Sequence, residues 1–193
     1  KGKYDKTEYI PYIDVITNPV IDLLQNYIDV ICIQLNQDEI KESTKLEQVI
    51  FLERILKGTP RIIKDHELDP KNETIIKAEV YKHLIHVFPD TIKELSIFKS
   101  FKTFKPDLGI KSLKIAIEYK FADSIQDLKT CIDGIYTDLI GYDGSEDWTN
   151  FYAVIYQTDH FMTDDQIFHD LDFKKLKHNW KLILVHGRGA RTS

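Results

Sequence analysis

From residue 113 to residue 121 the chain alternates without a break. Leu113, Ile115, Ile117, Tyr119 and Phe121 are apolar, and Lys114, Ala116, Glu118 and Lys120 stand between them. A period of two places the apolar set on one face only in an extended strand. That strand must therefore lay one face on a core, with Glu118 and Lys120 about 7 Å apart on the other. Residues 104–110 read as a shorter strand before it, with Lys111-Ser112 as the connecting turn of a β-hairpin. Asp107, just after Pro106, then comes beside Glu118 once the two strands pair. Two carboxylates converge with an ammonium next to them. Oxygen ligands of this kind suit a hard divalent cation such as Mg²⁺, and Lys120 can steady a water or a phosphate.

The remainder of the chain supplies helices before the hairpin and helices with strands after it. Asn18-Pro19 predicts an N-cap and first turn, followed by a helix over 19–34 with Ile21, Leu24, Ile28 and Ile31 as its stripe. A second helix is expected over 37–56, ended by Gly58 and Pro60. Residues 1–60 thus read as a helical N-terminal extension, packed on the rest or on a dimer partner, and 61–193 as the main domain. Asp69-Pro70 predicts the start of a helix reaching Phe88. On it Ile76, Val80, Leu84 and Val87 form one apolar line, and Ala78, Tyr81, Ile85 and Phe88 another. Glu79, His83 and His86 form a third line, either a solvated face or ligands of a separate metal site. After the hairpin a helix is expected over 123–140, then buried strands over 151–156 and 180–185, with a short helix over 163–171 capped by Thr163. The fold class is α/β, a mixed central sheet flanked by helices.

Pro106-Asp107 followed by Glu118-x-Lys120 on the next strand resembles the PD-(D/E)XK nuclease superfamily, the restriction-endonuclease-like fold. The order also fits: a helix before the hairpin and a helix–strand–helix–strand run after it. The likeness covers roughly residues 46–189, and is to the C-terminal catalytic domains of bacterial type II restriction-type and defence nucleases. One subgroup has a DxxxY-like helix, here Asp138 to Tyr142. The resemblance implies a Mg²⁺-dependent endonuclease, with Mn²⁺ able to substitute. It would hydrolyse phosphodiesters, most readily DNA, in a bacterial restriction or defence setting, and leave a 5′-phosphate. Asp107, Glu118 and the backbone carbonyl of Tyr119 would hold the metal, and Lys120 would position water or stabilise charge. The superfamily often adds an acid from the preceding helix, and Glu79 is the first candidate by position, with Glu73 and Glu67 behind it. Gln126, Lys129 and Tyr136 are candidate supports from the following helix. The alternative is a catalytically silent or partner-regulated nucleic-acid-binding or interaction module on the same fold.

Charge bears on partners. The formal net charge of −5 neither requires nor excludes a nucleic acid, because a nuclease needs only a local basic face. Lys99, Lys102, Lys105, Lys111 and Lys114 crowd the hairpin, and Lys174, Lys175, Lys177, Lys181, Arg188 and Arg191 crowd the C-terminal segment. Of these, Lys102, Lys105, Lys111, Lys114 and Arg188 are the expected phosphate contacts, against a merely solvated lysine face. Phe98, Phe101 and Phe104 interleave with the first patch, as core or as base-stacking groups. The two cysteines, Cys32 and Cys131, lie in apolar helical contexts and read as reduced thiols. With no apolar run of membrane-spanning length and no signal peptide, the expected setting is cytoplasmic, without a membrane partner. The start at Lys1 reads as a piece of a longer chain, so a homodimer or a partner domain is compatible.

Overall fold

The computed structural model describes residues 19–98, 102–163, 165–167 and 179–189, without the side chains of 19–23, 25, 32 and 35–41. In chain order the elements are α1 (Pro19–Lys57), α2 (Thr59–Asp65), α3 (Glu73–Val87), β1 (Thr91–Lys93), β2 (Ile97–Phe98), β3 (Thr103–Phe104), β4 (Leu108–Ile110), β5 (Ile115–Ala122), α4 (Ile125–Tyr142), β6 (Asn150–Gln157) and β7 (Trp180–His186). Five strands make one mixed sheet in the order β1-β4-β5-β6-β7, while β2 and β3 form a separate two-stranded ribbon. The pairs β1–β4 and β4–β5 are antiparallel; β5–β6 and β6–β7 are parallel. The alternating segment thus becomes the central strand.

That position explains a departure from the sequence reading. The odd face of β5 was expected to be core and the even face polar, but both faces are covered. Leu113, Ile115, Ile117 and Tyr119 pack with Leu52, Leu56, Ile63, Ile76, Val80 and Leu84 from α1, α2 and α3. Ala116 and Ala122 pack with Leu128, Ile135, Leu139 and Tyr142 from α4, together with Phe151, Ala153, Ile155 and Trp180. Parallel strands with helical crossovers are buried on both faces. The small side chains at 116 and 122 are what let α4 lie close.

The helices differ from expectation in their ends. One continuous helix, α1, replaces the two expected over 19–34 and 37–56, because no Gly or Pro interrupts the chain between Pro19 and Gly58. Gly58 and Pro60 do end it, and Pro60 then serves in the first turn of α2, where its missing N–H is not needed. Asp69-Pro70 does not start α3. Asn72 does, its side chain accepting from the Ile75 N–H at 3.4 Å. Asp69 instead faces Arg188, with Nε to Oδ1 at 3.1 Å. Thr163 and Gln166 cap one another reciprocally, at 2.9 Å (Thr163 N to Gln166 Oε1) and 3.3 Å (Gln166 N to Thr163 Oγ1), and 165–167 are helical. The continuation of that helix to 171, the lead-in before Pro19, the Asn18 cap, Lys99, Phe101, Lys174, Lys175, Lys177 and Arg191 lie outside the described residues.

By its internal contacts the chain divides into residues 1–44 and 45–193. In the first, described from residue 19, α1 leaves Leu24, Tyr27, Ile28, Val30, Ile31 and Ile33 exposed. The second contains the sheet, α2, α3, α4 and the last turns of α1.

Near its end α4 runs through Gly141, where the sequence reading placed a stop. A Cβ there would meet the Phe104 ring at 2.2–2.5 Å, so the glycine allows the β2–β3 ribbon to touch the helix. Gly141→Ala is expected to cost about 1–3 kcal/mol through overpacking and to lower the melting temperature by several degrees. An unchanged melting curve would show that Phe104 moves aside freely.

Candidate active site

The register of the hairpin builds the site. Leu108 lies opposite Ile117 and Ile110 opposite Ile115; one step further along the same register sets Asp107 opposite Glu118. Asp107 Oδ2 accepts the Tyr119 N–H at 2.8 Å, which fixes the carboxylate against the edge that β4 leaves unpaired there. The N–H and C=O of one strand residue leave the same edge, so the Tyr119 carbonyl points to the Asp107 side as well. The expected trio therefore comes together. Lys120 Nζ donates to Glu118 Oε1 at 2.7 Å, and Tyr142 OH donates to Glu118 Oε2 at 2.9 Å. Asp138 Oδ2 lies 3.1 Å from Lys120 Nζ and has no other partner among the described residues.

One line along α4 serves this cluster. Cys131, Gly134, Asp138 and Tyr142 recur every three or four residues and face β5. A Cβ on Gly134 would sit 3.6 Å from Lys120 Cε, an ordinary van der Waals contact, so the lysine stem lies against this face of α4. The Cys131 thiol donates to the Phe121 carbonyl at 3.3 Å. Its pKa is pushed up to about 11, chiefly by burial, which leaves it an inert thiol at neutral pH. Asp138 and Tyr142 carry the DxxxY-like spacing noted in the sequence. Gln126 and Lys129 lie on the exposed side of α4, and neither is brought to the carboxylates.

Glu79, the first candidate on the preceding helix, is not brought to the hairpin carboxylates: its partners are Lys82 and His66. Glu79 and Glu118 are equally buried, at 8% exposure, but Glu79 accepts from Lys82 at 2.6 Å and pairs with His66 Nδ1 at 2.8 Å. The Lys82 bond holds its pKa below the usual carboxylate value, with the His66 bond helping against burial. It ties α2 to α3 instead. The reason is helical phase: Ile76, Val80 and Leu84 pack on the sheet, and Glu79 lies about 200° round the helix from Lys77. Lys77 and Glu73 take the side that faces the hairpin. Lys77 Nζ donates to Asp107 Oδ1 at 2.6 Å. Glu73, one turn earlier, feels the charges of Asp107, Lys120, Lys77 and Asp138. Glu73 was a secondary candidate in the sequence; Lys77 was missed, although its i, i+4 spacing from Glu73 was a signal. His83 turns Nδ1 to the Glu79 carbonyl at 3.1 Å and His86 is exposed, so these two do not converge as a separate metal site.

Of the basic residues, Lys102, Lys105, Lys111 and Lys114 are all exposed. Lys102 Nζ rides 4.6 Å above the Phe104 ring, and Lys111 and Lys114 border a cavity of about 430 Å³ over Trp148 and Leu95. Arg188 is engaged structurally, donating from Nε to the Leu68 carbonyl at 2.6 Å.

Charge and donor type test whether these residues suit a cation. Glu73, Asp107, Glu118 and Asp138 face Lys77 and Lys120, so the ionised cluster carries two excess negative charges. The Glu118 carboxyl is raised to about 7, first by burial and then by the Asp107 charge, with Lys120 opposing. Glu73 is raised for the same two reasons. Lys77 and Lys120 are pushed up although burial opposes their charge, because their carboxylate partners outweigh it. A carboxylate-rich, cation-deficient group with an outward carbonyl fits a hard divalent ion. Among the described residues no three acidic, His or Cys side chains are already set around one point; internal ammonium groups hold the carboxylates.

A carboxyl raised in the folded state binds a proton that the unfolded chain has already lost. Stability should therefore fall as pH rises from about 4.5 to about 7 and level off above. Melting of metal-free wild type against Glu118→Gln across that window is expected to show the extra loss in the wild type alone. Parallel curves would mean that Glu118 is solvated like an ordinary glutamate.

No family model, curated protein or solved structure matches this chain.

Proposed function

We propose that the chain is a divalent-cation-dependent nuclease of the PD-(D/E)XK type that hydrolyses phosphodiester bonds, with DNA as the preferred substrate class. The observation that carries the reading is the convergence of Asp107, Glu118 and Lys120 from two paired strands at the centre of the sheet, between two largely apolar cores. Four acids gathered around two ammonium groups leave an excess of negative charge that a bound cation would offset, and that imbalance supports the reading. The element order supports the same reading: α3, the antiparallel β1-β4-β5 set, the α4 crossover and parallel β6.

Asp107, Glu118 and the Tyr119 carbonyl would hold Mg²⁺ or Mn²⁺, with Glu73 as the acid from the preceding helix. When bound, the cation supplies Lewis acidity and a more acidic water. The chain's own residues do the rest. Lys120, kept charged by Glu118 and Asp138, would stabilise the negative charge that grows on a non-bridging phosphate oxygen as water attacks phosphorus and the P–O3′ bond breaks, the departing O3′ taking its proton from solvent. Tyr142 orients Glu118 through its second oxygen. The exposed lysines near the hairpin neutralise flanking phosphates.

The test is incubation with plasmid, single-stranded DNA and RNA in Mg²⁺, Mn²⁺ or EDTA. Cleavage abolished by EDTA is expected, and Lys120→Ala should lower it by about 10²–10³; because the substitution also unpairs Glu118 and Asp138, it is assayed below the melting temperature of the variant, where its circular dichroism matches that of the wild type. Binding without cleavage in every metal would favour a silent or partner-regulated module. Reversing the charge of Lys111 and Lys114 together should weaken nucleic-acid binding in Ca²⁺. It should also flatten the salt dependence by roughly one counterion per lost contact; equal slopes would place the groove elsewhere.

A further inference from the structure

We infer that Lys77 is a built-in counter-ion of this site: its ammonium occupies the Asp107 oxygen that a divalent cation would take, so that cation binding requires Lys77 to leave. The inference rests on the nuclease reading above and assigns that site its regulation by metal.

Asp107 has two oxygens with separate duties. Oδ2 is fixed by the Tyr119 N–H at 2.8 Å and is part of the hairpin. Oδ1 is taken by Lys77 at 2.6 Å, a short, charge-assisted bond. Lys120 does not serve in its place: its ammonium is directed to Glu118 and Asp138. Without Lys77, Asp107 and Glu118 would face one another across the hairpin with only Lys120 between four acids.

Lys77 is also able to leave. It comes from a helix outside the hairpin, on an unbranched flexible stem, and its side chain is 29% exposed against 20% for Lys120. Glu73, one turn earlier on the same helix, attracts it as well and offers a place to go. Two arrangements follow. With Lys77 on Asp107 that carboxylate is paired without metal, although the cluster as a whole keeps its excess of acids. With a cation on Oδ1, the ammonium is released toward Glu73 and the outer rim. Lys77 is thus a positioning residue that sets the metal concentration at which the site fills.

The experiment is calorimetric titration of the whole chain with Mg²⁺ alone and with Ca²⁺ alone, plus melting in EDTA, for wild type, Lys77→Met and Lys77→Arg. Lys77→Met should melt lower in EDTA yet bind cation roughly ten- to a hundred-fold tighter, the worth of one charge-assisted bond no longer broken. Lys77→Arg, which keeps a competing cation, should bind no tighter than wild type. The gain in Lys77→Met should persist in 1 M salt, where the screening length is about 3 Å, because displacement acts at contact distance. Equal or weaker binding by folded Lys77→Met, or a gain that vanishes in salt, overturns the inference; Lys77→Gln replaces it if the Met variant does not fold. If wild type and variants alike bind no cation, the inference and the metal site both fall. Tighter binding with no cleavage of any nucleic acid by any variant upholds the counter-ion and overturns the nuclease.

Discussion

Everything about the centre of this protein follows from placing Glu118 on a strand that is buried on both faces. A carboxylate there has little access to bulk water, and the cost of leaving it unpaired is several kcal/mol. It must be satisfied from inside, so Lys120 takes one oxygen and Tyr142 the other. Lys120 is buried in its turn and needs a second acid, which Asp138 provides. Each requirement reaches one residue further from β5, until α4 is bound to the sheet by polar as well as apolar contacts.

The same logic runs through the hairpin to α3. Asp107 closes the open end of β4 by accepting the Tyr119 N–H, and so behaves as part of the ladder. Its remaining oxygen brings in Lys77, and Lys77 fixes which side of α3 meets the site. Glu79, buried as deeply, belongs to a different unit of the structure, the junction of α2 and α3 around His66 and Lys82. Burial alone therefore does not mark an acid as functional here. Glu118 and Glu79 differ in their surroundings: burial and then the Asp107 charge raise Glu118 to about 7, while the Lys82 and His66 bonds hold Glu79 below the usual value.

Sequence reasoning reached the parts that periodicity and local pairing decide. The strict alternation defined β5, the short hairpin turn fixed Asp107 against Glu118, and the apolar runs marked β6 and β7. What it missed depended on long-range fit. The rotational setting of α3 rests on whether Ile76–Val80–Leu84 or the neighbouring line through Ala78 and Tyr81 meets the sheet, and two apolar lines of similar length cannot decide that. Choosing wrongly by half a turn exchanges Glu73 and Lys77 for Glu79. The burial of the even face of β5 was missed for a related reason: Ala116 and Ala122 read as neutral until a helix lies on them. The break expected near residue 35 failed because Asn and Gln do not stop a helix that nothing else interrupts.

Tyr142 shows how firmly the site is held. Its ring stacks on Trp180 at 5.6 Å and lies tilted against Phe151 at the same separation, while Phe151 and Trp180 stack on each other at 5.0 Å. The Phe104 ring meets it edge-on from the β2–β3 ribbon. A hydroxyl carried on a ring fixed from three sides has little freedom to follow Glu118, so Glu118 must come to it. The carboxylate therefore takes its orientation from Lys120 on its own strand and, through Tyr142, from the aromatic core that joins α4, β6 and β7. The packing of these four rings thus supplies preorganisation of the kind that the proposed chemistry by fixed charges would need.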